Sequence, residues 1–311
     1  MSTRRVLVTG ATGFTGRHLV EELTSHGWEV WRLAEHSDRN ATAGSDTSRM
    51  LVADLNDASA LREAVARAQP TAVVHLAAVA FVGHGNATDF YRVNVMGTHS
   101  LLHALAELPV PPGCVLLASS ANIYGNAASG EIDESTPPDP ANDYAVSKLA
   151  MEYMAKLWLP RLPIVMTRPF NYTGVGQAKS FLVPKIVDHF RRRVAVMELG
   201  NLDVWRDFSD VRAVVRAYRL LLDAAPVGEV FNVGSGTTHS LRAVVEMVEQ
   251  LTGHHLEVRV NPAFVRANEV RTLCADTSRL RAAIGDWNQV PLKETLRWML
   301  DEGESAPEPR S

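Results

Sequence analysis

The sequence predicts an α/β protein: a mostly parallel sheet with helices on both faces, and a smaller mixed α/β region towards the C-terminus. Three observations carry that expectation. Through the first half of the chain, short apolar runs of strand length alternate with segments of helical periodicity, and strands joined by helices lie parallel and buried. A glycine-rich turn separates the first strand from the first helix. Beyond Arg168 the alternation loosens, which places the later helices and short strands beside the sheet, with a crevice between the two parts.

Val6–Thr9 reads as a short buried strand and His18–Ser25 as a helix with Leu19, Val20 and Leu23 on one face. Glu29–Leu33 follows as a strand, the polar stretch His36–Ser48 as a loop, and Leu51–Ala53 as a third strand. Ala58–Ala68 has helical spacing, Ala72–Leu76 is a fourth strand, Asn94–Leu105 a helix and Cys114–Ala118 a fifth strand. A loop with Pro137, Pro138 and Pro140 leads into a helix from Tyr144 to about Leu159, then a strand at Ile164–Thr167. Phe181–Arg192, Val211–Leu222 and Leu241–Leu251 read as helices of the second region.

Composition narrows the function classes. A net charge of -4 gives nucleic acid no reason to bind; the cluster Arg191, Arg192 and Arg193 fits a helix face or the neighbourhood of an anionic ligand. Cys114 and Cys274 match no metal-ligand or disulfide spacing, and no metal is expected. A reducing, cytoplasmic setting follows. The apolar run after Arg4 and Arg5 is too short for a signal peptide, and no stretch approaches the roughly 18 apolar residues of a membrane span. The segment from Glu302 to Ser311, rich in Pro, Glu and Ser, is expected to be a flexible tail.

Chemistry enters at Thr9-Gly10-Ala11-Thr12-Gly13-Phe14-Thr15-Gly16. Glycines spaced GxxGxxG between a first strand and helix allow a tight turn and a close approach of backbone to a pyrophosphate, which the helix N-terminus then binds. This is a Rossmann-type dinucleotide site. At the end of the second strand, where an acid would bind the adenosine ribose of NAD, stands Ala34, with Glu35 next. Arg32, Arg39 and Arg17 offer charge for a 2′-phosphate. The balance favours NADP(H), with NAD(H) possible if Glu35 takes the ribose position. Asp54-Leu55 is placed to meet the adenine. Tyr144 and Lys148 share a helix face at a spacing of four, where an ammonium would favour the tyrosinate. Ser120 follows the fifth strand, where a hydroxyl can hold a carbonyl. A Tyr-xxx-Lys pair alone is common on solvated helices; its place after a dinucleotide turn gives it weight.

These residues, with His75-Leu76-Ala77-Ala78, Asn94-Val95-Met96-Gly97-Thr98, Tyr144-Ala145-Val146-Ser147-Lys148 and Arg168-Pro169-Phe170-Asn171, resemble the extended short-chain dehydrogenase/reductase family that acts on nucleotide-diphosphate sugars. The resemblance runs to about Met299. Three segments, Arg168–Gly174, Gly200–Leu202 and Arg206–Val211, look most like sugar-nucleotide 4-ketoreductases, GDP-4-keto-6-deoxy-mannose reductases among them. The resemblance implies that Ser120, Tyr144 and Lys148 are catalytic. It implies cofactor contacts at Gly10, Thr12, Gly13, Phe14, Thr15, Gly16, Arg32, Asp54, Leu55, Leu76, Ala77, Ala78, Asn94, Tyr144 and Lys148. Substrate contacts are implied at Asn122, Asn171, Lys185, Arg206 and Arg266. Read by itself, Arg206 could instead pair with Asp207 or Asp210, and Asn171 could be a turn residue. The family's 4,6-dehydratases carry an acidic pair just after the catalytic hydroxyl; here Ala121 and Asn122 stand there, and neither moves protons.

The resulting expectation is a 4-keto-6-deoxyhexose reductase, with a 4-epimerase, a reductase of small carbonyl compounds and a non-catalytic dinucleotide sensor as alternatives. Residues 1–168 are assigned to dinucleotide binding, 169–300 mainly to substrate binding and interleaved with the first part, and 301–311 to the tail. The resemblance also implies a homodimer through a four-helix interface of Asn94–Leu105 and Tyr144–Leu159, to which Met151, Met154, Leu157 and Trp158 could add apolar surface; they could equally be ordinary core.

Overall fold

The computed structural model describes residues 4–35, 48–80, 86–125, 130–264 and 271–302. Arg39, Arg266 and nearly all of the expected tail lie outside the described residues. In the first half, β1 (Arg5–Thr9), α1 (Phe14–Ser25), β2 (Glu29–Ala34), β3 (Met50–Val52), α2 (Ala58–Ala68) and β4 (Ala72–His75) are followed by α3 (Ala87–Tyr91), a π-helical segment at Arg92–Gly97 and α4 (Thr98–Ala106). Then come β5 (Cys114–Ala118), a 3₁₀ turn at Ala121–Tyr124, β6 (Gly130–Ile132), α5 (Asp143–Lys156) and β7 (Ile164–Pro169). The second half holds β8 (Asn171–Thr173), α6 (Leu182–Arg191), β9 (Val196–Leu199), β10 (Trp205–Asp210), α7 (Val211–Ala224), β11 (Val230–Val233), β12 (Thr238–Ser240), α8 (Leu241–Thr252), β13 (Glu257–Val260), β14 (Thr272–Ala275), α9 (Ser278–Ile284) and α10 (Leu292–Glu302).

The main sheet has seven parallel strands in the order β11-β7-β5-β4-β1-β2-β3. From β1 the chain builds outward to β3, then returns to β4 and builds the other way. The strand order therefore reverses between β1 and β4, and such a switch point opens a ligand crevice at the carboxyl ends of the strands. Fully buried Val6, Leu7, Val8, Val73 and Val74 hold this centre in place. Packed on one face are α1, α7 and α9, built around Leu19, Leu23, Val214 and Leu221. On the other face, α2, α4 and α5 close over Leu61, Leu101, Leu105 and Met151.

A second sheet runs β12-β10-β14-β6, with β8 also pairing β10. Strand β6 of the first half thus joins the second sheet, and β11 of the second half completes the first. Helices α6, α8 and α10 surround a separate core of Ile186, Phe190, Val244, Val248 and Leu296.

Two expected boundaries move. Helix α1 begins at Phe14, because its first turn carries the glycines rather than the apolar stripe. The helix expected from Asn94 begins at Ala87, where the Asn86 side chain accepts from the Thr88 N–H, and widens to a π turn at Arg92–Gly97. Such wide turns gather at functional sites. The apolar residues on and just after α5 divide between core and surface. Met151 is buried core, and Met154 and Trp158 pack against that core. Tyr153 and Leu157 reach solvent, 60% and 79% exposed, and Val146 does so less.

Candidate active site

The glycine turn lies at the switch point. Gly10 has φ +65°, and a Cβ there would come within 2.8 Å of the Ala77 nitrogen after β4. A Cβ on Gly16 would lie 2.2 Å from the Gly10 carbonyl oxygen. Only glycine therefore fits the turn at these two points. The helix end beyond it is available: Gly13 caps α1 with no side-chain bond and no acid stands in the first turn. The Arg17 N–H bonds the Gly13 carbonyl, so helix geometry leaves the preceding N–H groups of Phe14, Thr15 and Gly16 without intrahelical partners. That is a cradle for a pyrophosphate, and the residues present fit a dinucleotide. Around it, Leu76, Ala77 and Ala78 line the path after β4, half-buried, as is Thr12.

At the edge of β2, Ala34 is buried and Glu35 exposed, with Arg32 half-buried two residues earlier. Asp54 comes two residues after β3, and its carboxylate accepts from the Asn56 N–H and side-chain amide at 2.8 and 2.9 Å. Leu55 is buried in the core against Gly97. Asn94 is buried, and its side chain joins two segments of the chain. Its amide donates to the Val79 carbonyl and the Ser147 hydroxyl, and its carbonyl accepts from the Val79 N–H. Buried amides are spent on such pairs, so Asn94 ties the segment after β4 to α5 rather than presenting its side chain to a ligand.

Behind the turn, His75 is the hub of a closed network. Thr98 donates to the Asn94 carbonyl at 2.7 Å, so its oxygen accepts from His75 Nε2 at 2.9 Å. His75 Nδ1 then accepts from Thr9 at 2.7 Å, and the Thr9 oxygen lies 3.2 Å from both the Leu76 and Ala77 N–H groups. The tautomer follows from the neighbours. Burial, with the nearby Lys148 charge, pushes the His75 pKa down to about 3, so the imidazole is neutral.

Ser120, Tyr144 and Lys148 converge at the end of β5. Ser120 caps the 3₁₀ turn, accepting from the Asn122 N–H at 3.1 Å, and its hydroxyl favours the ionised form of Tyr144. Asn142 caps α5 by accepting from the Ala145 N–H, and Ser147 donates to the Tyr144 carbonyl, which fixes the helix start beneath Tyr144. The Phe90 ring lies 6.0 Å from the Tyr144 ring. Lys148 donates to the Ala118 carbonyl at 2.8 Å. All three side chains are buried.

The electrostatics correct one expectation. Burial pushes the Tyr144 pKa up to about 12, with Ser120 opposing it; desolvation of the site disfavours the tyrosinate that Lys148 was expected to favour. Burial likewise brings Lys148 down to about 8, against the nearby Glu152 carboxylate.

The opposite wall comes from the second sheet. Asn171 is exposed on β8, a strand rather than a turn, level with Phe208 of β10. Half-buried Arg206 on β10 donates to the Trp205 carbonyl. Asp210 is held by Arg212 and Thr295, and Asp207 accepts from Ser235, Gly236 and Ala275. Lys185 on α6 donates to the Glu198 carbonyl and lies over the Phe264 ring. Asn122 is exposed beside Ser120.

Contacts missed by the sequence reading join the two walls. Tyr172, next to Asn171, shares a hydrogen bond of 2.8 Å with Thr15 and stacks on Phe14. His18 and Arg17 reach the carbonyls of Val175 and Gly176. No periodicity announces such pairs, because their partners are about 157 residues apart.

Comparisons agree with this geometry. The profile of the NAD dependent epimerase/dehydratase family matches residues 6–234. GDP-6-deoxy-D-talose 4-dehydrogenase of Aggregatibacter actinomycetemcomitans is 32% identical over 282 residues, 91% of this chain and 92% of its own. GDP-6-deoxy-D-mannose reductase of Pseudomonas aeruginosa is 32% identical over 314 residues, 97% of this chain and 98% of its own. Among solved structures, a chain from Burkholderia cenocepacia J2315, assigned only provisionally to the epimerases, is 50% identical with a TM-score of 0.91, covering 97% of this chain and 99% of that one. MoeE5 in complex with UDP-glucose and NAD gives 30% and 0.84, covering 96% and 97%. RMD from Pseudomonas aeruginosa complexed with NADPH gives 31% and 0.83, covering 97% and 98%.

Proposed function

The chain belongs to the NAD dependent epimerase/dehydratase family, and from that premise we propose that it reduces the C4 keto group of a nucleotide-diphosphate-4-keto-6-deoxyhexose, with NADPH as the preferred reductant. The observation that carries this reading is the state of Tyr144. With its pKa near 12, the phenol keeps its proton at neutral pH, and an alkoxide formed at C4 is a far stronger base that takes it. A buried neutral phenol suits reduction better than it suits the opening oxidation of a resting alcohol. Ala121 and Asn122 give the site no second proton carrier beside Ser120, which argues against dehydration.

The nicotinamide, when bound, supplies the hydride. Ser120 and Tyr144 hold the ketone oxygen by hydrogen bonds, and Tyr144 passes its proton to that oxygen as C4 is reduced. The donors are preplaced by α5 and the 3₁₀ turn, so their stabilisation costs little reorganisation. Lys148, once its charge is retained, steadies the phenolate left behind and reaches the nicotinamide ribose. Asn171, Arg206, Arg266 and Lys185 take the sugar diphosphate, for which guanidinium forks are suited. Guanine is the favoured base, on the strength of the two GDP-sugar relatives. Two copies pair through α4 and α5, where Tyr153, Leu157 and Val146 supply exposed apolar surface.

The test follows NADPH and NADH absorbance with GDP-, dTDP- and UDP-4-keto-6-deoxyhexoses, with products identified by NMR. Rapid, base-selective NADPH oxidation is the expected result. A 4-epimerase is the second reading, favoured by the 50%-identical Burkholderia structure. Interconversion of C4 epimers without net cofactor consumption would replace the first reading with the second.

A further inference from the structure

Lys148 is a buried amine whose hydrogen-bond partner is a neutral carbonyl, that of Ala118. One helical turn along the same face of α5 stands Glu152, 1% exposed and the carboxylate whose charge acts on Lys148. Arg168 of β7 is also buried. Arg168 grips Glu152 with both arms, at 3.0 and 2.7 Å. The third arm of the network reaches the Tyr124 hydroxyl at 2.9 Å and the Glu134 carbonyl at 3.2 Å. Tyr124 in turn donates to Asn232 of β11 at 2.7 Å.

We propose that Glu152, fixed by Arg168, is a positioning residue for catalysis: its buried carboxylate keeps Lys148 protonated at the site where Tyr144 gives up its proton. The assignment rests on the reductase reading for its consequence, but not for its electrostatics. Burial of an ammonium disfavours its charge, and an opposite charge nearby restores it. The other groups facing Lys148 do not supply that charge: His75 on β4 is neutral, and Tyr144 one turn above is a neutral phenol. Glu134, beyond Arg168, accepts from the Asn232 N–H at 2.6 Å and belongs to the far side of the network. Glu152 is accordingly the carboxylate through which the main-sheet core reaches Lys148 among the described residues. Arg168 serves the same end by fixing the Glu152 rotamer with a two-pronged contact.

The chain has five lysines, so the Lys148 ε-carbon can be followed by NMR in the full-length protein labelled with [13C]lysine and assigned with Lys148→Arg. In the unaltered protein the midpoint is expected at about 8. Glu152→Gln should lower it by about one pH unit or more. The alkaline limb of the pH–rate profile should move down by the same amount, since activity is lost as pH rises through the Lys148 midpoint. Glu152→Gln alone leaves a buried guanidinium unpaired; the double variant Glu152→Gln/Arg168→Gln removes both charges at similar volume and covers a failure to fold. A lowered midpoint in either folded variant supports the assignment. An unchanged Lys148 midpoint in the folded double variant overturns it, as does a lowered midpoint with an unmoved rate profile. Absence of sugar reduction in the unaltered protein would count against the reductase reading alone, because the NMR midpoint is measured without turnover.

Discussion

At the ends of β5 and α5, Ser120, Tyr144 and Lys148 are buried, and Ser120 and Lys148 already have polar partners. Across the crevice, Asn171 is exposed on β8 and Arg206 half-buried on β10. The proposed reaction accounts for the difference. Proton transfer needs groups whose positions are set before the substrate arrives, and burial supplies that rigidity. A charged diphosphate, as proposed, would be met by side chains that reach into solvent, so its wall would stay solvated. The polar groups that are fully buried on the second sheet, Asp207 and Asp210, hold strands and helices together instead.

Tyr144→Phe tests the rigid wall most severely. It should lower kcat by about 10²–10⁴-fold, while cofactor affinity measured by fluorescence titration stays near that of the unaltered protein. Arg206→Ala tests the solvated wall. Loss of a charged hydrogen bond worth about 1.5–3 kcal/mol should raise KM about 10- to 100-fold with kcat little changed. Should Arg206→Ala depress kcat as Tyr144→Phe does, with KM unmoved, the division between the walls would collapse.

The His75 network sharpens the same contrast through pH. Its folded pKa is about 3 against an unfolded value of 6.5. Between those values the unfolded chain binds the extra proton, so this contribution to stability is present above pH 6.5 and is lost progressively as pH falls towards 3. His75→Gln should flatten the fall of Tm over that range, where the imidazole otherwise accounts for a few kcal/mol. A parallel fall in both proteins would show that the network is not what makes this wall acid-sensitive. Smallest in its effect on the fold is Leu157→Glu, on the exposed face of α5. The expected result is a halved mass in sedimentation with Tm nearly unchanged; an unchanged mass would remove α5 from the proposed dimer.

Much of the first wall was legible from local pattern. Gly10, Gly13 and Gly16 announce a turn that tolerates no side chain, and strands alternating with helices announce the parallel sheet around it. Tyr144 and Lys148 are visible together because four residues are about one helical turn. Glu152 was visible by the same rule, one further turn along, but its charge mattered only once Arg168 was found opposite. The partners of Asn94, a backbone segment and Ser147, were not legible because Ser147 is 53 residues away. Met151 stayed undecided for a similar reason: an apolar residue on a helix points to core or to interface with equal spacing, and burial gives it to the core.

The sequence by itself determined the α/β alternation, the glycine cradle and the pairing of Tyr144 with Lys148, since each depends on residues within a few positions of one another. The tertiary structure alone decided which way the pKa of Tyr144 moves, how Thr9, His75 and Thr98 share protons, and that Tyr172 meets Thr15 across the crevice. Those outcomes depend on desolvation and on contacts between distant segments, and neither is written in the local order of residues.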